Sequence, residues 1–127
     1  MTQYANTKIT GNLGEITAQQ YLQQKGYQIS AVNFKRKWGE LDIVATKKSK
    51  FIFVEVKSIH KKNNFAPEDQ VTPKKQRQLV KMAQIYLSES KIPLSHPHQI
   101  DIIAIEFNYE NQVREIRHHE NAIEDTC

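Results

Sequence analysis

The pattern of apolar and polar positions predicts a β-hairpin in the middle of the chain. Two strand-like runs, residues 41–46 and 51–57, flank a polar turn of four residues at 47–50. Counting outward from that turn places Asp42 directly opposite Glu55. Side chains alternate between the two faces of a strand, so opposed residues share one face. The hairpin is therefore expected to carry two carboxylates on a single face of the sheet.

Lys57 is expected to join these acids, because it lies two residues beyond Glu55 and so on the same face. Two acids and an ammonium group inside otherwise apolar runs are more typical of a functional site than of sheet packing. A structural ion pair between Lys57 and either acid is the alternative, and strand geometry alone leaves both interpretations open.

Apolar periodicity predicts two helices and three further strands around the hairpin. The helices are expected at residues 10–25 and 73–89, and the strands at residues 27–34, 99–107 and 112–118. Residues 58–71 show no sustained period and are expected to form a long loop. The order helix, three strands, helix, two strands predicts an α/β fold with a mixed sheet of about five strands flanked by helices.

The first helix contributes one further candidate residue. Glu15 falls on the same helical stripe as Ala18 and Leu22, so its carboxylate is expected to point inward. A buried carboxylate requires a cation, a metal or a hydrogen-bond donor as its partner. An exposed glutamate near the positive end of the helix is the alternative, and the spacing does not decide between them.

The length and the ends of the chain limit the class of protein. The 127 residues are expected to form a single domain over residues 1–127, with a frayed tail at 119–127. No apolar run approaches the roughly 20 residues of a membrane-spanning helix, and the first residues lack the apolar core of a signal peptide. The one cysteine, Cys127, cannot form an internal disulfide. These features favour a cytoplasmic protein that does not enter a membrane.

Positive charge is concentrated around the hairpin. Residues 35–81 contain 13 of the 18 lysines and arginines and only five acids, whereas residues 101–127 have a net charge of −5. Such a surface attracts polyanions, although a solvated lysine-rich surface would have the same composition. The candidate phosphate contacts lie before the hairpin and at the start of the second helix: Lys35, Arg36, Lys37, Lys74, Lys75 and Arg77.

Two local features bear on these candidates. Thr72 and Pro73 are typical of a helix N-cap and first position, and cations in the turn that follows oppose the helix dipole unless an anionic ligand is bound. Trp38 directly follows Lys37, and interleaved cations and rings suit base stacking and phosphate contact. A lone tryptophan also commonly packs against a sheet edge, and this interpretation stays open.

The opposed acids indicate a particular chemistry. Two carboxylates on one sheet face form a hard-oxygen site that suits Mg²⁺ or Mn²⁺ better than Zn²⁺. A metal held by few protein ligands keeps bound waters, and such a water is a better nucleophile. Lys57 would orient that water or offset the charge that develops on a phosphate. With the basic surface, this predicts metal-assisted phosphodiester hydrolysis.

The motifs that carry these residues resemble a known family. Asp42, followed by Glu55-Val56-Lys57 in the next strand, resembles the D…(D/E)-x-K signature of the PD-(D/E)XK nuclease superfamily. The wider sequence is more similar still to the uncharacterised bacterial YraN family, itself similar to archaeal Holliday-junction resolvases. The matching pieces extend over nearly the whole chain: Gly11-x-x-Gly14-Glu15-x-x-Ala18, residues 39–45, residues 53–57, Lys75-Gln76 and Asp101.

The resemblance implies a restriction-endonuclease-like fold and a role for each matching residue. Asp42, Glu55 and the backbone carbonyl of Val56 would bind a divalent metal. Lys57 would be the catalytic lysine, and Glu15 would complete the site from the first helix. The lysine of the second helix that matches the family motif would contact the substrate phosphates or support the site. The partner would be DNA, and the similarity to resolvases also suggests a homodimer.

Some positions depart from the pattern of the superfamily. Leu41 replaces a proline, Val32 and Ser58 stand where arginines are common, and the arginine expected before the strand of Asp101 is missing. These changes remove candidate phosphate contacts but retain the acids and Lys57. The expected function is a metal-dependent nuclease that acts on branched or processed DNA. The alternative is a nucleic-acid-binding module that keeps this fold with little or no catalysis.

Overall fold

The computed structural model describes residues 7–60 and 66–124, with side chains from residue 12 onward, and confirms the predicted order of elements. A 3-10 helix, Pro67–Gln70, precedes the second α-helix. Within the described residues, no helix is both long and apolar enough to cross a membrane. The main elements are α1 (Thr7–Gln24), β1 (Gln28–Arg36), β2 (Gly39–Lys47), β3 (Lys50–His60), α2 (Pro73–Glu89), β4 (His98–Phe107) and β5 (Val113–His119).

The five strands form one mixed sheet in the order β1-β2-β3-β4-β5. Neighbouring strands are antiparallel except β3 and β4, which run parallel and are connected through α2. The two helices lie on opposite faces of this sheet. Leu79 and Met82 of α2 pack with Phe53 on one face, whereas Leu22 of α1 packs with Val54 on the other. The three layers confirm the predicted restriction-endonuclease-like α/β architecture.

The end of α1 lies where the sequence predicts it. Gly26 has a φ of +92°, a conformation that favours glycine. The amide of Tyr27 donates a hydrogen bond to the carbonyl of Leu22 at 3.0 Å, which satisfies one of the last carbonyls of the helix. Ala18 and Leu22 are fully buried, whereas Ile16 is 53% exposed. The inward face of α1 is therefore the stripe predicted from the helical spacing.

The hairpin formed by β2 and β3 has the predicted register but a tighter turn. Thr46 pairs with Phe51 as expected. The pairing continues one step further than predicted, which leaves only Lys48 and Ser49 in the turn. Both residues have positive φ, 51° and 64°, as in the type I′ turns whose twist matches that of antiparallel strands. The register from Ile43–Val54 to Thr46–Phe51 is the predicted one, and Asp42 and Glu55 are the next residues beyond it.

The prediction of a long loop over residues 58–71 is wrong for part of that segment. β3 continues to His60, because its last residues pair with β4 as far as Phe107. Residues 61–65 lie outside the described residues. The helical turn Pro67–Gln70 then leads directly into the capped start of α2. Pairing with a neighbouring strand, rather than local periodicity, decides where β3 ends.

The tail predicted to fray from residue 119 is packed as far as Ile123. His119 belongs to β5, and the amide of Ala122 donates to the carbonyl of Ile100 at 2.8 Å. Ile123 is only 5% exposed. Residues 125–127 lie outside the described residues.

A cluster of ion pairs joins β5 to β4 and to the helical turn before α2. Nε of Arg117 lies 2.6 Å from Oε2 of Glu68, and Nη2 lies 2.6 Å from Oε2 of Glu106. Nη1 lies 2.9 Å from Oε1 of Glu115. The hydrogen bonds from Arg117 lower the pKa of Glu68 to about 2. This cluster holds the edge strand in place with charge-assisted hydrogen bonds.

Candidate active site

Asp42 and Glu55 lie beside each other at the open end of the hairpin, on the face covered by α2. The paired register ends at Ile43 opposite Val54, so these acids are the next residues in line. Both are buried, with 8% and 3% of their surfaces exposed. Oδ2 of Asp42 accepts a hydrogen bond from the backbone amide of Val56 at 2.8 Å. The side chain of Asp42 is therefore fixed by the strand that carries Glu55.

Two lysines approach one oxygen of Glu55. Nζ of Lys57 and Nζ of Lys75 each lie 3.7 Å from Oε2 of Glu55. Lys57 comes from β3, as the alternation predicts, whereas Lys75 comes from the first turn of α2. Both distances exceed those of charge-assisted hydrogen bonds. The ion pair considered from the sequence is present, but it is loose.

The other oxygen of Glu55 is the unusual feature of the site. Oε1 of Glu55 is buried and, when both acids are ionised, has no hydrogen-bond donor among the described residues. A buried oxygen without a donor or cation is costly. Such an atom at a functional site therefore points to a ligand that supplies the missing contact.

The electrostatics of the acids lead to the same conclusion. Burial raises the pKa of Glu55 to about 7. The negative charge of Asp42 and a hydrogen bond from the protonated Glu55 carboxyl to Asp42 add to this effect, while Lys75 and Lys57 oppose it. Burial also raises the pKa of Asp42, and the hydrogen bond from Val56 opposes that shift. Two lysines thus do not compensate two buried carboxylates fully. A divalent cation between them would.

The available ligands suit Mg²⁺ or Mn²⁺, which keep bound waters, better than a metal that is coordinated by protein ligands alone. The described residues contain no group of three or more histidine, cysteine, aspartate or glutamate side chains that could hold a metal. Asp42 and Glu55 supply two carboxylates, and the carbonyl of Val56 is the third predicted ligand. Mg²⁺ commonly binds one or two carboxylates and keeps several waters. The metal and its three ligands stay a prediction from the sequence.

Glu15 approaches this site from α1, on the other side of the sheet. It is half-buried, and burial raises its pKa. The charges of Asp42 and Glu40 raise that pKa further, while a hydrogen bond with the side chain of Asn33 opposes them. Glu15 is thus within electrostatic reach of Asp42, as an inward-pointing helix acid would be.

Gly14 allows α1 to come this close. A Cβ atom at residue 14 would overlap Oγ of Ser58 and lie 2.7 Å from its Cβ. Any larger residue would push the helix away from β3 and take Glu15 with it. The close packing of α1 against β3 therefore explains why a glycine precedes Glu15.

We expect Glu55→Gln to stabilise the metal-free protein at pH 8 by about 1 kcal/mol or more. The folded pKa of Glu55, about 7, lies above its ordinary value of 4.5. The folded wild type therefore binds its proton more tightly than the unfolded chain, and its stability falls as pH rises between these values. Urea unfolding at pH 4 and pH 8 in the presence of a chelator measures this. The variant should gain at pH 8 and lose that advantage at pH 4; a variant less stable than wild type at pH 8 contradicts the electrostatic account.

Two of the six predicted phosphate contacts are paired within the fold. Nε and Nη2 of Arg36 donate to the carboxylate of Glu89 at 2.6–3.1 Å. Nζ of Lys35 lies 3.9 Å from Oε2 of Glu40, and both side chains are exposed. Exposed pairs contribute little and exchange partners readily. Lys35 therefore remains accessible to a phosphate, whereas the bidentate contact holds Arg36 against Glu89.

The other four predicted contacts are placed differently. Lys75 lies in the site itself, and Lys74 and Arg77 are exposed on α2. Nζ of Lys37 lies 4.8 Å from the ring centroid of Trp38. The basic surface therefore runs from the acids along the first half of α2 towards the turn that contains Trp38.

Asp101, which matches the family motif, is placed by the structure in a different cluster. It is fully buried, and Oδ1 accepts hydrogen bonds from Nε2 of Gln99 and the amide of Asn121 at 2.8 Å each. Its Oδ2 lies 2.7 Å from Nε2 of His118, whose Nδ1 is 3.1 Å from the hydroxyl of Tyr21. This network ties β4 and β5 to α1. Its histidine and tyrosine are far apart in the sequence and carry no local signal.

Gln78 is a further residue beside the site that the sequence pattern did not indicate. Its Oε1 lies 3.4 Å from Nζ of Lys75, and its Nε2 donates to the carbonyl of Trp38 at 2.8 Å. The three-residue spacing from Lys75 is the available signal, because it places both side chains on one face of a helix.

Comparison with known proteins gives one consistent family. The model of the uncharacterised protein family UPF0102 matches residues 14–105. A UPF0102 protein of Caldanaerobacter subterraneus is 40% identical over 114 residues, which cover 90% of this chain and 93% of the relative. One of Geotalea uraniireducens is 38% identical over 94% of this chain and 93% of the relative. One of Aliivibrio fischeri is 35% identical over 97% of this chain and 98% of the relative.

Proposed function

The chain belongs to the uncharacterised protein family UPF0102, and on that premise we propose that it is a divalent-metal-dependent nuclease that hydrolyses DNA phosphodiester bonds. The YraN resemblance identified from the motifs is thereby confirmed as to family. The activity is inferred from the site. The observation that carries it is the buried Oε1 of Glu55, which, when both acids are ionised, has no donor among the described residues, in a site shared with Asp42 and flanked by two lysines.

Asp42, Glu55 and the carbonyl of Val56 would hold Mg²⁺ or Mn²⁺. When bound, the metal supplies an activated water and stabilises charge on the phosphate. Lys57 lies on the same face as Glu55, with its side chain 28% exposed. Its ammonium group can therefore donate a hydrogen bond both to the attacking water and to a non-bridging phosphate oxygen. This fits the general requirement that donors be fixed where negative charge develops.

Lys75 and Glu15 would support this arrangement from the two helices. Nζ of Lys75 shares Oε2 of Glu55 with Lys57, so it orients that carboxylate and is available to an adjacent phosphate. The charge of Glu15 would act on that of Asp42 from the other side of the sheet. Lys74 and Arg77 would hold the backbone of the substrate beside the site. We also propose a cytoplasmic location, where DNA is accessible. A four-way junction, with two symmetric strands to cut, would call for a homodimer.

A nucleic-acid-binding module is the second candidate function. It is favoured by the absence of a three-acid metal cluster from the described residues, since phosphate binding requires only the exposed cations of α2. Such a module would bind DNA with strong salt dependence and without a metal requirement.

A cleavage assay separates the two functions. Labelled duplex, single-stranded, flap and four-way-junction DNA should be incubated with Mg²⁺, with Mn²⁺ and with a chelator. We expect cleavage of at least one branched or single-stranded substrate with Mn²⁺ or Mg²⁺, and none with the chelator. Mn²⁺ should also raise the melting temperature of the wild type but not of Glu55→Gln, because the metal binds only the folded site. Saturated binding without product or metal-induced stabilisation would leave the binding module as the function.

A further inference from the structure

Trp38 is a large aromatic side chain that lies outside the hydrophobic core. It is 47% exposed and belongs to neither core cluster. Nζ of Lys81, from α2, lies 4.1 Å from the centroid of its ring, and Nζ of Lys37 lies 4.8 Å from it. Exposed cation–π contacts of this kind stabilise a fold only weakly. The exposure of the ring therefore calls for another explanation.

The backbone around Trp38 is held firmly although its ring is exposed. Nε2 of Gln78 donates to the carbonyl of Trp38 at 2.8 Å. Gly39 has a φ of +150°, and a Cβ atom there would lie 2.7 Å from Cδ of Gln78. The turn between β1 and β2 is thus packed closely against α2, which fixes the position from which the ring projects.

A short chain of contacts links this turn to the candidate active site. Gln78 also contacts Nζ of Lys75, and that group lies 3.7 Å from Oε2 of Glu55. Only the side chains of Lys75 and Gln78 therefore separate the buried acid from the carbonyl of Trp38. The lysines at 74 and 81, seven residues apart, lie on the same side of α2 as Arg77.

We infer that Trp38 stacks on one unpaired base of the DNA, while Lys37 and Lys81 contact the adjoining phosphates. This inference rests on the proposed function and specifies its substrate class: DNA that presents a single-stranded segment next to the cleaved bond. Every base has a flat aromatic face, so stacking of this kind is independent of sequence. The bases of a continuous duplex are not accessible to the ring. Because both lysines are exposed and flexible, they can move from the ring to a phosphate when a strand binds.

The single tryptophan of the chain is itself a reporter of this contact. Tryptophan emission should be followed in the Asp42→Asn variant without metal, so that the test does not depend on cleavage. We expect saturable quenching by oligothymidylate, weak quenching by a blunt duplex of equal length, and little quenching by heparin, a polyanion without bases. Quenching by heparin equal to that by oligothymidylate, or none by either, would overturn the inference.

A variant series measures the energetic part of the contact. Trp38→Ala should weaken binding of labelled oligothymidylate about 10-fold, while Trp38→Phe should retain most of the affinity. Val113→Ala is the matched control, because Val113 is 46% exposed and lies on β5, at the opposite edge of the sheet from β1. Equal affinity of Trp38→Ala and wild type would refute stacking, even if the protein cleaves DNA. Stacking without any cleavage would support this site and count against the nuclease proposal alone.

Discussion

Replacing Asp42 by asparagine should reduce metal-dependent DNA cleavage by about 100-fold or more, because the change removes one of two carboxylates proposed to bind the metal. The fold should persist. The amide oxygen of asparagine can still accept the 2.8 Å hydrogen bond from Val56, and the like charge beside Glu55 is lost. Single-turnover cleavage rates and an unfolding curve measure the two effects separately. Asp69→Asn is the matched control, since Asp69 is exposed on the helical turn before α2.

Lys57→Ala should have a comparable effect on the rate, about 100-fold or more, because it removes the ammonium group that donates hydrogen bonds to the water and the phosphate and leaves the metal ligands in place. The variant should still be stabilised by Mn²⁺, because both carboxylates remain. Lys50→Ala, at the first residue of the same strand, is its control. Cleavage at the wild-type rate by both Asp42→Asn and Lys57→Ala would exclude this site as the catalytic one.

Replacing Arg117 by alanine should lower the free energy of unfolding by about 3 kcal/mol or more. The guanidinium contacts three glutamates, and the side chain of Glu106 is only 6% exposed. Removal of the guanidinium takes away the cation that lies 2.6 Å from this buried carboxylate. Arg114→Ala, an exposed change in the same strand, should cost little. Urea unfolding of both variants at pH 7 measures the difference, and a similar small loss in both would show that the cluster does not stabilise the fold.

The pH dependence of the same cluster follows from Glu68. Its folded pKa of about 2 lies below its ordinary value of 4.5. Ionised Glu68 therefore contributes stability above the higher value, and this contribution is lost as pH falls towards the lower one. Glu68→Gln should be less stable than wild type at pH 7, and the two proteins should converge as pH falls towards 3.

The strand and helix patterns were sufficient to predict the architecture and part of the site. Asp42, Glu55 and Lys57 could be placed on one face because strand alternation is a local property of the sequence. The turn was predicted too long because Lys48 and Ser49 adopt positive φ without being glycine or asparagine. Side-chain type gave no warning of that conformation.

The contributions of the helices to the site depend on tertiary packing. Lys75 was singled out by its charge, but its contact with Glu55 requires the parallel pairing of β3 and β4 that positions α2. The approach of Glu15 depends on the space left by Gly14 against Ser58. Asp101 matches the family motif, but the sequence assigned it no role in the site. Its partners, His118 and Asn121, could be identified only from the folded chain.

The parallel pairing of β3 and β4 also bears on the order in which the protein folds. Among the described strands this is the only parallel pair, and its partners are separated in sequence by α2 and its flanking segments. Strands β1, β2 and β3 are joined by short turns, so they can pair at a small cost in loop entropy, whereas the β3–β4 pair must close a long loop. The two acids would then meet before Lys75 arrives. Early in folding, the hairpin would hold its carboxylates in contact with water, and their burial would coincide with the docking of the helix that brings the compensating charge.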